Sequence, residues 1–336
     1  MAVDTTLTGG DLATKKPESL AKDAFSRLIK NKAAVLGAII IFLLILMAVF
    51  ADVIAPYHFA DGNLMKQNSA PQWLANVFSS MKSYVHIDNA FAFGTDAIGR
   101  DLLSRIIYGA RVSLAVAFIG PLISLVIGVI YGSIAGYVGG KVDNVMMRFV
   151  DVMYGFPSIL FIILLMAFFR TSLSDIQPGS FAYSLRQIDE AMGGLFFIFI
   201  GIGVTSWETM ARLTRGQILS VKQKEFVEAA RSIGAPNSRI IFKHILPNIV
   251  GPLIVNETLA IPGYISTEAF LSFIGLGVNP PTPSWGAMIS DGARTVRSYP
   301  YQVLLPALML GITMFAFNFL GDGLRDAFDP KLRGRQ

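Results

Sequence analysis

The segment EFVEAARSIGAPNSRIIFKHILPNIVGP, Glu225 to Pro252, is a polar interruption between two long hydrophobic stretches. Phe226, Ala229, Ala230 and Ile233 recur at i, i+3, i+4 and i+7, the spacing of one helix face. Gly234 ends that helix, as glycine commonly does just past a helix end. Pro236 opens a second element, with Asn237 or Ser238 as its cap. A short helix carrying Ile240, Ile241, Ile245 and Leu246 then precedes Pro247. The expected arrangement is two helices at an angle, with Ala229, Ala230 and Gly234 at the bend. Such small residues admit close approach by another protein, and burying Phe226 there would contribute roughly 1.5–3 kcal/mol. The competing reading is an amphipathic helix lying on a lipid surface.

The rest of the chain is membrane-like. Of 336 residues, 53% are hydrophobic and 15% charged, with mean hydropathy +0.55; a soluble domain carries about 25% charge. Cysteine is absent, which excludes disulfides and thiol chemistry. Three scattered histidines, His58, His86 and His244, do not suggest a metal site. The net charge of +5 calls for no nucleic acid, because basic residues flanking membrane spans account for it.

A bilayer core of about 30 Å takes roughly 20 apolar residues in a helix. Six stretches qualify: Ala33–Ala51, Val112–Val138, Phe149–Phe169, Ala191–Trp207, Ile249–Leu276 and Tyr301–Leu320. Residues 1–32 read as a cytoplasmic tail rather than a cleaved leader, since the apolar run after them is of full span length. Residues 33–51 are then the first transmembrane helix and 52–110 an extracytoplasmic loop. Residues 111–322 form the main transmembrane domain, with the polar segment 222–247 inside it, and 323–336 a cytoplasmic C-terminal tail. With the N-terminus inside, 19 of the 28 lysines and arginines fall on inner segments and nine on outer ones, which places both ends in the cytoplasm.

Within the first loop, residues 52–92 are polar and turn-rich and read as a variable excursion. In FGTDAIGRDLLSRIIYGAR, 93–111, the residues Leu102, Leu103, Ile106 and Ile107 have helical spacing, and Asp101 and Arg105 stand close enough to pair. An interfacial helix and an ordinary solvated amphipathic turn both fit.

The spacing Glu228-Ala229-Ala230, three residues, Gly234, then Leu246-Pro247 twelve residues after the glycine resembles the signature loop of ABC importer permeases. His244 stands where that pattern often has an aliphatic residue. FGTDAIGRDLLSRIIYGARVSL (93–114), LSFIGLGVNPPTPSWGAMISDG (271–292) and NFLGDGLRDAFDPKLRG (318–334) resemble the oligopeptide, dipeptide and nickel permeases, and the layout resembles their C-type member. The resemblance covers roughly residues 20–334 and leaves out loops 57–92 and 170–190. It implies an all-α, six-span, type I permease that pairs with a second, homologous permease subunit in the membrane lipid. It implies two ATPase subunits, docked through this loop (Phe226, Glu228, Ala229, Ala230, Gly234, Ile245, Leu246 and Pro247) and its counterpart on the second permease, and an extracytoplasmic binding protein that delivers substrate. The cargo class would be di- or oligopeptides, with nickel or another small solute as the alternative.

The chain itself has no phosphate-binding loop. Gly140-Lys141 is followed by Val142, and Ala135 stands in place of the first glycine. ATP would therefore be bound and hydrolysed by the partner subunits, with no cofactor on this chain. Two rivals remain: a secondary transporter, which would show repeats and buried ion-coupling groups, and a membrane enzyme, for which no catalytic pair stands out in the spans.

Carboxylates inside a span cost about 2.5–3.5 kcal/mol and are functional candidates. Glu257, next to Asn256, lies in the fifth span and is expected to face the substrate path; the alternative is a hydrogen bond to a neighbouring helix. Glu268 is expected near the outer surface, solvated, beyond a break or bend at Pro262 and Gly263. Asp151 falls near the start of the third span.

Overall fold

A computed structural model of the chain describes residues 20–172 and 179–329. Most of the N-terminal tail, part of loop 170–190 and the last residues of the C-terminal tail lie outside them. Among the described residues the fold is helical, with only single bridges at Ala70–Ile87 and Thr95–Asp101. Four helices are long and apolar enough to cross a membrane, or up to six if each of two bent pairs is one span.

Helices α1 (Leu20–Lys30) and α2 (Lys32–Val49) are separated by Asn31, whose Oδ1 accepts from the amides of Ala33 and Ala34 at 3.1 and 3.2 Å. That cap starts α2 within one residue of the expected span.

Helix α3 (Leu102–Val138) has 37 residues, about 55 Å, well beyond the hydrocarbon thickness. It absorbs the expected interfacial helix. Leu102, Ile106 and Ile107 are buried against protein, and no breaker separates them from the span. Asp101 does not pair with Arg105. It caps α3, its Oδ2 accepting from the Ser104 amide and hydroxyl at 2.7 and 2.6 Å.

The third span is broken. Helix α4 (Gly140–Tyr154) and α5 (Ser158–Ser172) meet at 80°. Pro157 supplies no amide hydrogen and pushes Phe156 out of the helical region. Helix α4 also carries Lys141, Asp143, Arg148 and Asp151 and is not apolar throughout. The fourth span is broken too: α6 (Phe181–Ala191) and α7 (Phe196–Val204) bend by 100° where Gly193 and Gly194 take φ of +66° and +85°. Helix α7 spans only about 14 Å, and α8 (Trp207–Val221) follows it.

Helix α9 (Glu225–Ser232) is the short helix of the polar segment. After it, one continuous helical stretch runs from Asn237 to Phe273, through a π turn at Ile240–Ile245 into α10 (Leu246–Phe273). The expected separate helix before Pro247 is thus the beginning of the span, and the π turn at Ile240–Ile245 lies where the helix meets Pro247, which has no amide to donate. Nor does Pro262 break it; α10 continues through both Pro252 and Pro262. Helices α11 (Trp285–Ala293) and α12 (Tyr301–Phe328) complete the chain. Helix α12 runs into the segment expected as C-terminal tail.

Residues 52–101 form an ordered cap, which includes the excursion expected over 52–92. Ala70, Leu74, Ala75 and Met81 are buried in one cluster with Leu102, Ile106, Trp285 and Tyr301. The Tyr301 hydroxyl lies 3.1 Å from the carbonyls of Ser69 and Thr95, and Gln302 Nε2 donates to Asn68 and to the Thr95 carbonyl. Glu268 is fully buried, not solvated: it lies on α10 beneath α11 and accepts from Ser272 Oγ at 2.6 Å.

Helices α3 and α8 approach most closely where Gly128, Gly132 and Gly136 recur every four residues. A Cβ on Gly132 would sit 2.4 Å from the Ala211 carbonyl, and one on Gly128 2.5 Å from Met210 Cβ. This is the small-residue packing that membrane helices use in the absence of a hydrophobic drive between them.

Candidate functional site

Helix α9 carries Glu225 and Glu228 in its first turn and Arg231 in its last, which suits the helix dipole. It ends in a Schellman motif: Ala235 N donates to Ala230 O at 3.1 Å and Gly234 N to Arg231 O at 3.0 Å, with Gly234 at φ +77°. Nothing lies within 4 Å of a Cβ built there, so backbone conformation, not space, requires the glycine. The next element is capped by Pro236, without a side-chain cap bond. Asn237 Oδ1 instead accepts from the Tyr137 hydroxyl at 2.8 Å, which ties the segment to the end of α3.

The expected apolar face divides. Val227 and Ala230 are buried, packing in one cluster with Ile240, Ile245 and Ile249. Phe226, Ala229 and Ile233 are exposed, Ile233 by 84%, as are Glu228 and Pro247; Leu246 is half-buried. Val227 lies one residue off the expected stripe, and its burial turns Phe226, Ala229 and Ile233 outward together. Beside α9, Phe226, Val221, Lys224, Pro247 and Phe328 line a cavity of about 660 Å³.

Helix α8 leads into α9 through Lys222–Lys224. Lys222 Nζ donates to the Gly136 carbonyl at 2.8 Å. Arg215 grips Asp143 with two bonds of 2.5 and 2.6 Å, and Arg212 reaches Asp151 at 2.5 Å. Helix α8, which leads into the exposed apolar face, is therefore clasped to α4, the first half of a broken span.

Glu257 is buried and engaged. Ser124 on α3 donates to its Oε1 at 2.6 Å, and Tyr264, seven residues on along the same helix face, donates to its Oε2 at 3.0 Å. Asn256 beside it is half-buried. A neighbouring cavity of about 200 Å³ is lined by Tyr264, Thr205, Ser206, Ser158 and Thr267. It lies beside the start of α5 and the junction of α7 and α8, and Tyr264 in its wall hydrogen-bonds Glu257. Tyr264 was legible only as the i+7 partner of a buried carboxylate.

Residues 128–334 match the sequence profile of the binding-protein-dependent transport system inner membrane component, and residues 19–71 that of the N-terminal transmembrane domain of oligopeptide transport permease C. This chain belongs to the binding-protein-dependent transport permeases. It is 42% identical over 323 residues to the oligopeptide transport system permease protein OppC of Bacillus subtilis (strain 168), covering 95% of this chain and 92% of that protein. It is 44% identical to OppC of Haemophilus influenzae over 315 residues (94% and 90%), and 42% identical to the dipeptide transport system permease protein DppC of Bacillus subtilis over 327 residues (96% and 89%). Among solved structures, an inward-facing conformation of the MetNI methionine ABC transporter matches with TM-score 0.52 at 18% identity, over 67% of this chain and 97% of that one. This agreement establishes the type I importer permease fold. The permease is a multi-pass protein of the bacterial inner membrane and a transport component rather than an enzyme.

Proposed function

We propose that this chain is the C-type permease subunit of an ATP-driven importer of di- and oligopeptides, forming half of the translocation path. The names of its relatives support the cargo class. It pairs with a homologous permease, and two ATPase subunits bind and hydrolyse the ATP. An extracytoplasmic binding protein delivers the peptide. The observation that carries the coupling role is the split face of α9: Val227 and Ala230 anchor it, while Phe226, Ala229 and Ile233 are left uncovered. Burying that face in an ATPase cleft and relaxing it as the ATPases open would bias two packings of the spans, which requires the face to bind differently in each state. Motion of α9 passes along α8 and, through the Arg215–Asp143 and Arg212–Asp151 pairs, to α4. In the path, Tyr264 meets the cargo, with Glu257 setting its position and Asn256 beside it.

The test is co-purification of the tagged chain with ATPase subunits, together with peptide uptake by Gly234→Asp. We expect the complex in wild type and membrane insertion without uptake in the variant. Uptake at the wild-type rate in Gly234→Asp would overturn the coupling role.

A further inference from the structure

At the end of the bundle opposite α9, the 94–105 segment meets α11 and the start of α12 around a cavity of about 240 Å³. Asp96, Arg100, Arg105, Asp291, Arg294 and Gln302 are among the residues that line it. Asp96 is fully used. Its Oδ1 accepts from the amides of Ile98 and Arg100 at 3.0 and 2.9 Å, and its Oδ2 takes Arg100 Nε at 2.6 Å. Arg105 is not. Its side chain is 4% exposed, yet Nε stands 3.7 Å from Asp96 and Nη2 3.6 Å from Asp291, both beyond hydrogen-bond length. Its Nη1 is buried with no partner, and among the described residues the guanidinium donates no hydrogen bond. A buried guanidinium presents a planar fork of donors that matches a carboxylate, and leaving such a group unsatisfied is costly.

The third party is Asp291. It is half exposed and stands 3.6 Å from both Arg100 and Arg105, held by charge alone. Arg294, one turn along and exposed, adds a third guanidinium at the rim. Three arginines against two aspartates leave one net positive charge. That balance suits a singly charged anion and disfavours a phosphate dianion, which would face both aspartates.

We propose that this cavity binds a single carboxylate, taken by the Arg105 fork with Arg100 and Arg294 after Asp291 swings out. In the transporter the carboxylate is the C-terminal group of the cargo peptide, a statement that rests on the peptide-import reading; a free monocarboxylate carries the same chemistry. Asp291 is then an internal competitor that holds the site until cargo arrives.

The experiment measures binding to the assembled transporter by thermal shift, with acetate, trialanine and trialanine amide as probes. Wild type should bind trialanine about tenfold more tightly than its amide, the loss expected for one charge-assisted hydrogen-bonded pair. Arg105→Lys keeps the charge but not the fork and should abolish the acid–amide difference. Asp291→Asn, at an exposed position, should tighten trialanine and acetate, a gain that no purely structural role of Asp291 predicts. Acetate binding that depends on Arg105 with trialanine inert would uphold the site and overturn the peptide reading. Trialanine binding with no acid–amide difference would uphold the peptide reading and overturn the site. An Arg105 effect seen only when an extracytoplasmic binding protein is added would make the cavity a docking contact and overturn the proposal.

Discussion

The Ser124 hydroxyl donates to Glu257 Oε1 at 2.6 Å and joins α3 to α10 inside the bundle. With Tyr264 on the other oxygen, the buried carboxylate has a partner on each side. Glu257→Ala should therefore destabilise the chain by about 1–3 kcal/mol, because the buried Tyr264 hydroxyl loses its acceptor while Ser124 can fall back on the Ser206 carbonyl at 3.1 Å. Glu257→Gln keeps one acceptor and should cost less. Tyr264→Phe should lower peptide uptake more than it lowers stability, if Tyr264 meets cargo. Thermal unfolding in detergent and uptake rates in the same variants check the order. Equal uptake in wild type and Tyr264→Phe would remove Tyr264 from the path.

The glycine stripe on α3 gives a contrast within one residue type. Gly132→Ala places a methyl 2.4 Å from the Ala211 carbonyl, and overpacking of this kind costs about 1–3 kcal/mol. Gly311→Ala in α12 meets nothing within 4 Å and should be neutral or stabilising by about 0.5–1 kcal/mol, since alanine is the better helix former. Melting temperatures of the two variants should move apart; a similar fall in both would contradict the α3–α8 contact.

The two ion pairs between α4 and α8 should differ in weight. The Asp143 side chain is 10% exposed and doubly bonded to Arg215, whereas Asp151 and Arg212 are about half exposed. Asp151→Asn should cost about 0–1 kcal/mol, and Asp143→Asn distinctly more. If both pairs transmit motion from α9, each variant should also slow uptake beyond its effect on melting. Uptake unaffected in Asp143→Asn would remove the clasp from the coupling route.

The cap over α12 should loosen in acid. Lys66 hydrogen-bonds Asp88 at 2.5 Å and holds its carboxyl below the usual carboxylate range. A depressed carboxylate pKa contributes stability above its unfolded value of about 4, and that stability is lost as pH falls through the folded value. Hydrogen exchange in residues 64–90 should rise below about pH 4 in wild type and be less pH-dependent in Asp88→Asn. Identical profiles would assign the cap's stability elsewhere.

The spans around α2, α10 and α12 were legible because hydrocarbon demands unbroken apolar sequence, and the end of α9 followed its glycine at Gly234. The breaks were harder. Pro157 and the Gly193-Gly194 pair stand in the sequence, but average hydropathy runs straight across them and hides the bends. Pro262 misled in the other direction, since α10 continues through it without a break. Glu268 and Arg105 were misjudged for one reason. Their environments come from α11 and from residues 94–101, which sequence spacing does not bring to them. The α9 segment was legible as a short helix ending at Gly234, but its outward face was set by Val227, which tertiary packing selected over the expected stripe.

In the proposed coupling role, the outward face of α9 meets an ATPase subunit. The chain has no cysteine, so Ile233→Cys supplies a unique thiol on that face, and Arg294→Cys a matched thiol at the opposite end of the bundle. In the assembled transporter, a short thiol-to-amine cross-linker should join Ile233→Cys to the ATPase subunit, with a yield that changes when ATP is added, and should not join Arg294→Cys to it. A cross-link from Arg294→Cys to the ATPase with none from Ile233→Cys would rule out α9 as the contact.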